Sequence, residues 1–156
     1  MVAKSCHERA LGLLAVRPRS RHELQVRLRA AGFEEVEVAD VLRRLEGVGL
    51  IDDEAFARAM AEYQFGSRKA GRRAVTSALI AKGVEPALVA AVVAESAVDE
   101  EERALRLASS RAARMGSIDP AKAFGRLTSL LMRRGYAPET ARNASRRALE
   151  LEVGPD

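Results

Sequence analysis

Apolar residues recur along this chain at helical spacing, and no stretch alternates with period two for long enough to make a strand. Val38, Val41, Leu42 and Leu45 fall at i, i+3, i+4 and i+7, and Leu105, Ala108, Ala112 and Met115 keep to one face at about 100° per residue. The pattern predicts an all-α protein. A first helix runs from about Ser5 to Val16 and stops at Arg17-Pro18, because a residue before proline is pushed out of the α region. Ser20, with Glu23 three residues on, makes a capping box that opens a second helix. That helix carries Leu24 and Leu28 and ends at Gly32, suited to a left-handed C′ position. A third helix spans about Glu35 to Glu46, and Gly47 and Gly49 lead out of it.

The same grammar then returns. Leu24, Leu28, Gly32 and Phe33 have counterparts in Val75, Leu79, Gly83 and Val84, and again in Leu127, Leu131, Gly135 and Tyr136. The turn glycines are 51 and 52 residues apart. Pro86 and Pro138 sit where third helices begin, at the first-turn position where a missing N–H costs nothing, and Asp119-Pro120 marks an N-cap and N1. Three tandem three-helix, helix-turn-helix-like units are therefore expected, at 1–52, 53–98 and 99–156. Units this small bury too little surface to be stable alone, so neighbours share core. With 29 alanines and 4% aromatics, the helices pack closely but have little bulk to lock one module against the next.

The most fully specified stretch is Gly49-Leu50-Ile51-Asp52-Asp53-Glu54-Ala55-Phe56-Ala57. Asp52 reads as an N-cap, Asp53 and Glu54 put negative charge in the first turn where the helix dipole favours it, and Ile51 and Phe56 have the spacing of a hydrophobic staple. Leu50, Ile51, Asp52, Asp53 and Phe56 thus form a joint that sets the angle between the first and second modules.

Composition narrows the chemistry. Charged residues make up 31% of the 156, which rules out a membrane span, and the apolar run from Ala10 to Val16 is too short and wrongly flanked for a secretory signal; the cytoplasm is the default compartment. One cysteine, Cys6, allows no intramolecular disulfide and no thiol-based zinc or CxxC site, and it reads as a partly buried structural thiol. His7 and His22 belong to no ligand cluster, His22 being expected to face solvent, and no G-x-x-x-x-G-K-[ST] cradle occurs; neither metal nor cofactor is expected. The acid pairs and runs fall at helix starts, where capping accounts for them, so no catalytic pair is assigned.

The basic residues are the candidate contacts. The net charge is +4, and from Arg103 to Arg147 eleven Lys/Arg face only Asp119 and Glu139. Arg68, Lys69, Arg72 and Arg73 surround Gly71; Arg103, Arg106, Arg111 and Arg114 fall opposite the packed face of their helix. Arg133 and Arg134 flank Gly135, and Arg142, Arg146 and Arg147 share the last helix. Such clusters suit phosphates or carboxylates of an acidic partner. The third helices offer acids and alanines to a groove and the few aromatics sit at packing positions, so weak, non-specific contact with single- or double-stranded DNA is expected rather than base reading.

The stretches Arg9-Ala10-Leu11-Gly12-Leu13-Leu14, Arg17 to Leu24, Leu28 with Gly32-Phe33, and above all Gly49 to Ala57 resemble the RecX family of bacterial recombination regulators. The resemblance continues through Arg68-Lys69-Ala70-Gly71 and Ala81-Lys82-Gly83-Val84, and more loosely through Arg133-Arg134-Gly135-Tyr136. It implies a non-enzymatic modulator of the RecA recombinase, built as an elongated, curved array of three-helix repeats and acting as a monomer. Such a protein binds along the groove of the RecA–DNA filament, inhibits its ATPase and strand exchange, and limits or dismantles it during DNA repair, recombination and the SOS response. Arg72 to Leu79 depart from the family pattern, which is often more acidic there, so contacts at that point differ in detail. The alternative is a stand-alone, non-specific DNA-binding helical repeat protein; a helical adaptor with no nucleic-acid role is the third reading.

Overall fold

The computed structural model describes residues 2–96 and 99–154. Within them the chain forms nine helices and no strand: α1 (Cys6–Val16), α2 (Arg21–Ala30), α3 (Glu35–Gly47), α4 (Asp53–Gly66), α5 (Arg72–Ala81), α6 (Pro86–Ser96), α7 (Glu100–Ala112), α8 (Pro120–Arg133) and α9 (Pro138–Val153). The module boundary expected at residue 98 lies outside the described residues.

The local signals account for where the helices begin. Ser5 caps α1 by accepting from the Glu8 N–H, and the Ser20–Glu23 box is complete in both directions. Asp99 and Asp119 accept from Glu102 and Lys122 N–H groups at the starts of α7 and α8. Prolines open α6, α8 and α9, where the first turn has no use for their missing donor. The second helix of each repeat ends in the same way. Phe33, Val84 and Tyr136 donate back to the carbonyls of Leu28, Leu79 and Leu131 at 3.3, 3.2 and 3.1 Å, across Gly32, Gly83 and Gly135, whose φ values are +98°, +76° and +99°. This is the Schellman pattern, in which the positive φ of the glycine lets two orphan carbonyls find donors.

By internal contacts the chain divides into two compact units, Met1–Met60 with Ala78–Val92, and Ala61–Ser77 with Val93–Asp156. Helices α4, α5 and α6 each pass from one unit into the other, so the middle repeat is shared between them. In the first unit α1, α2 and α3 enclose Cys6, Ala10, Leu24, Leu28, Val38, Val41, Leu42, Leu45 and Ile51. Cys6 is fully buried in that core rather than partly exposed, and burial, with the nearby Glu37 charge, pushes its thiol pKa up. In the second unit α9 packs along α7 and α8 around Leu107, Leu127, Leu131, Tyr136 and six alanines of α7 and α9.

Helix α7 differs from its expected face. Ala104 and Leu107 are buried with Ala108 and Ala112, whereas Leu105 and Met115 pack only partly. The cause is that both α8 and α9 lie against α7, so its buried surface wraps wider than one stripe and takes in residues on the Leu107 side.

The turn glycines differ in what surrounds them. Gly32 has open space where a Cβ would stand, whereas a Cβ on Gly135 would collide with Ala74. Gly12, inside α1, has neither a positive φ nor a close neighbour. Urea unfolding should therefore rank three alanine substitutions. Gly12→Ala gains up to about 1 kcal/mol from helix propensity. Gly32→Ala loses about 1–2 kcal/mol to backbone strain. Gly135→Ala adds overpacking of about 1–3 kcal/mol to that strain.

Candidate functional site

Each second helix begins with backbone N–H groups that have no intrahelical acceptor. In the first unit the Arg21 N–H, at the start of α2, donates to Oδ1 of Asp53 at 2.9 Å. Asp53 is itself the first residue of α4, so one carboxylate meets the positive ends of two helices. Asp52 does the local capping, accepting from the Ala55 N–H at 3.0 Å, while Ile51 is buried, Phe56 half-buried and Leu50 exposed. The second unit repeats the device. The Arg72 N–H, at the start of α5, donates to Oε1 of Glu100 at 2.9 Å, and Glu100 is the first residue of α7.

Around these joints the two units use different chemistry at corresponding positions. In the first, the Ser20 hydroxyl donates to the Lys82 carbonyl at 2.6 Å, and the Glu23 carboxylate gathers Arg17 on both oxygens, the Ser20 N–H, and Lys82 at 3.6 Å. Burial would raise the Glu23 pKa, but the Arg17 and Ser20 hydrogen bonds and the charges of Arg17 and Lys82 outweigh it and hold the carboxyl below its ordinary value. Arg19, 6% exposed, donates through Nε to the Leu13 carbonyl at 3.1 Å and leaves Nη1 without a hydrogen-bond acceptor. His22 is exposed and covers Gly83, where no Cβ would fit.

In the second unit the place of Ser20 is taken by Gly71. Its N–H donates to the Arg134 carbonyl at 2.7 Å, and a Cβ there would stand 2.5 Å from the Gly135 carbonyl. Arg103 fills the interior, donating to the carbonyls of Phe65 and Ala70 at 2.9 and 2.8 Å with its guanidinium 4.7 Å from the Phe65 ring centroid and paired with Glu100. The Tyr136 hydroxyl donates to the Lys69 carbonyl at 3.0 Å, and burial pushes its pKa up.

These contacts sort the candidate cations. All of them lie in the second unit. Arg103 is committed to the interior, Arg134 donates to the Arg68 carbonyl at 2.6 Å, and Arg72 pairs with Glu100. Arg106 pairs with Glu102 and Arg146 with Asn143 on the exposed surface. The side chains of Arg68, Lys69, Arg73, Arg114, Arg133, Arg142 and Arg147 are exposed and find no acidic partner among the described residues; Arg111 is half-buried and equally unpaired. Lys122 and Arg126, not singled out from sequence, belong with them, and their spacing of four along α8, with Arg133 seven further on, was the available signal. The formal charge is segregated too: the first unit holds eleven Lys/Arg and eleven Asp/Glu, the second fifteen and eleven, so the whole +4 belongs to the second. Among the described residues no cluster of His, Cys, Asp and Glu could hold a metal ion, and no helix is long and apolar enough to cross a membrane.

Comparison with known proteins matches residues 6–45 to the first three-helix domain of RecX and residues 52–93 to the second. The chain belongs to the RecX family. The regulatory protein RecX of Streptomyces coelicolor is 38% identical over 143 residues, covering 91% of this chain and 76% of that protein. A Mycobacterium regulatory protein RecX is 36% identical over 143 residues, covering 88% and 78%. The crystal structure of RecX from Lactobacillus salivarius shares the fold, with a TM-score of 0.79 at 18% identity over 92% of this chain and 94% of that one. The relatives carry the name of a regulatory protein, and this chain has a RecX regulatory role by membership.

Two measurements separate the acids of the first joint. Hydrogen exchange at the Arg21 amide should accelerate in Asp53→Ala and stay protected in Asp52→Ala, although each substitution removes about 1 kcal/mol of helix-start stabilisation. Because the folded Glu23 pKa is depressed, its stabilisation is fully present above the ordinary glutamate value of about 4.3 and is lost as pH falls from there through the folded value. Glu23→Gln should therefore flatten the stability-against-pH curve on the acid side of that value.

Proposed function

We propose that this chain is a non-enzymatic negative regulator of the RecA recombinase, bound to the RecA–DNA filament and restraining its ATPase, strand exchange and growth. The observation that carries this reading is the segregated charge. One unit is neutral, while the other holds the whole positive excess on exposed arginines and lysines without acidic partners. Guanidinium groups free of internal carboxylates are available for bidentate pairs with the acids of a protein surface or with phosphates. Membership of a family whose proteins are named regulatory supports a regulatory role, and its negative direction is part of the proposal. Two mechanisms fit: the bound chain holds recombinase subunits in an arrangement that does not cycle ATP, or it occupies the groove a second DNA must enter.

The same cations also suit a protein that acts by coating DNA alone. The two readings part on salt dependence, since neutralising phosphates releases counterions and gives a steep loss of affinity with salt. The test is the ATPase of a preformed RecA–single-stranded DNA filament titrated with the protein, alongside naked-DNA binding at the same salt. Stoichiometric inhibition that excess naked DNA does not compete away is expected; unchanged ATPase would sink the proposal. Charge reversal at Arg133, Arg142 and Arg147 leaves Arg103 and Arg134 in their internal bonds and should weaken inhibition about tenfold or more, if these residues act as interface arginines do. Inhibition that rises and falls only with DNA affinity would favour the coating reading.

A further inference from the structure

Between α7 and α8 the second unit has an open groove of about 620 Å³. Arg111 stands on one wall and Lys122, Arg126 and Arg133 on the other. None of the four side chains has an acidic partner or an acceptor among the described residues. Lys122, Arg126 and Arg133 fall within about 40° of one another around α8 at 100° per residue, and the row is about 16 Å long at 1.5 Å per residue. The floor is apolar: Met115 and Leu130 are half-buried there.

We propose that this groove is the docking site for an acidic protein segment that places one apolar side chain on the Met115–Leu130 floor, with flanking carboxylates on Arg111, Lys122, Arg126 and Arg133. A nucleic-acid backbone would use the cations but has no group to desolvate an apolar floor, and no aromatic lines the groove on which a base would stack. The charge fits an acidic partner, and the floor selects protein over nucleic acid. The proposal rests on the reading that the chain acts on a protein partner and adds which surface receives it.

The test uses the full chain and three fluorescent probes: a short glutamate-rich peptide with one central leucine, the same peptide with serine for leucine, and oligothymidylate. The leucine peptide should bind about tenfold or more tightly than the serine peptide, the usual range for one apolar group in a hydrophobic pocket. Leu130→Gln, which makes the floor polar at a half-buried position outside the buried core, should abolish that preference with helix content by circular dichroism unchanged. Lys122→Glu with Arg126→Glu, both exposed, should remove binding of both peptides. Equal affinity for the two peptides, no peptide binding, or full binding of the leucine peptide by Leu130→Gln overturns the proposal. So does oligothymidylate that displaces the leucine peptide from wild type and binds Leu130→Gln equally well, which would make the groove a phosphate site. Filament ATPase keeps the two readings apart: Leu130→Gln that loses the peptide preference yet inhibits fully overturns the docking site alone, whereas wild type that binds the peptide and leaves the ATPase unchanged overturns the regulatory reading alone.

Discussion

One carboxylate placed between two helix N-termini is the constraint on which each compact unit depends. A helix start carries uncompensated N–H groups and a positive dipole end, and two such ends brought together repel unless an anion lies between them. Asp53 does this for α2 and α4, and Glu100 does it for α5 and α7. Both are the first residue of a repeat's opening helix, and both accept from the first residue of the preceding repeat's second helix. Succession of repeats is thereby written into side-chain chemistry at a single position. Either carboxylate has to approach without a bulky neighbour in the way, which limits what surrounds it.

The surroundings nevertheless differ between units. At the first joint a polar knot forms on Glu23, with Ser20 reaching the Lys82 carbonyl through its hydroxyl. At the second, alanine replaces Glu23 and glycine replaces Ser20, and the backbone of Gly71 comes directly against that of Gly135. Without a serine hydroxyl there is no side-chain donor at that position, so other donors must satisfy the buried carbonyls of that unit. Arg103 and Tyr136 take that part, reaching Phe65, Ala70 and Lys69. An arginine at the fourth position of α7, where α4 has Phe56, is thus the counterpart of a closer backbone approach.

Much of this was legible in the sequence because it is local. The −8, −4, 0, +1 spacing around Gly32, Gly83 and Gly135, the capping box at Ser20, and the helix-start prolines act within a few residues, and each reappears as a hydrogen bond or a φ value. What could not be read were partners many residues away. Asp53 looked like first-turn charge on α4, and nothing near it points to the Arg21 amide. Arg103 had the periodicity of an exposed cation, yet two of the acceptors that hold it, the Phe65 and Ala70 carbonyls, lie 38 and 33 residues away and meet it only in the fold. The α7 stripe was shifted toward Leu107 for a related reason, since a helix packed by two neighbours buries more than one face.

The sorting of arginines bears directly on how charge should be read in such a protein. A long run of positive residues suggests one continuous contact surface, but Arg72, Arg103 and Arg134 stabilise the joint, and reversing them would disturb the unit before it disturbed a partner. The cations left over stand in the α4–α5 connection and at the start of α5, away from the buried face of α8, and on or just after the exposed sides of α7 and α9. They keep the full desolvation cost of any future pairing, which favours partners offering several carboxylates or phosphates at once over isolated ones. The neutral first unit commits Arg17, Arg21 and Lys82 to its own carboxylates, whereas the positive excess of the second unit has no acidic partner among the described residues.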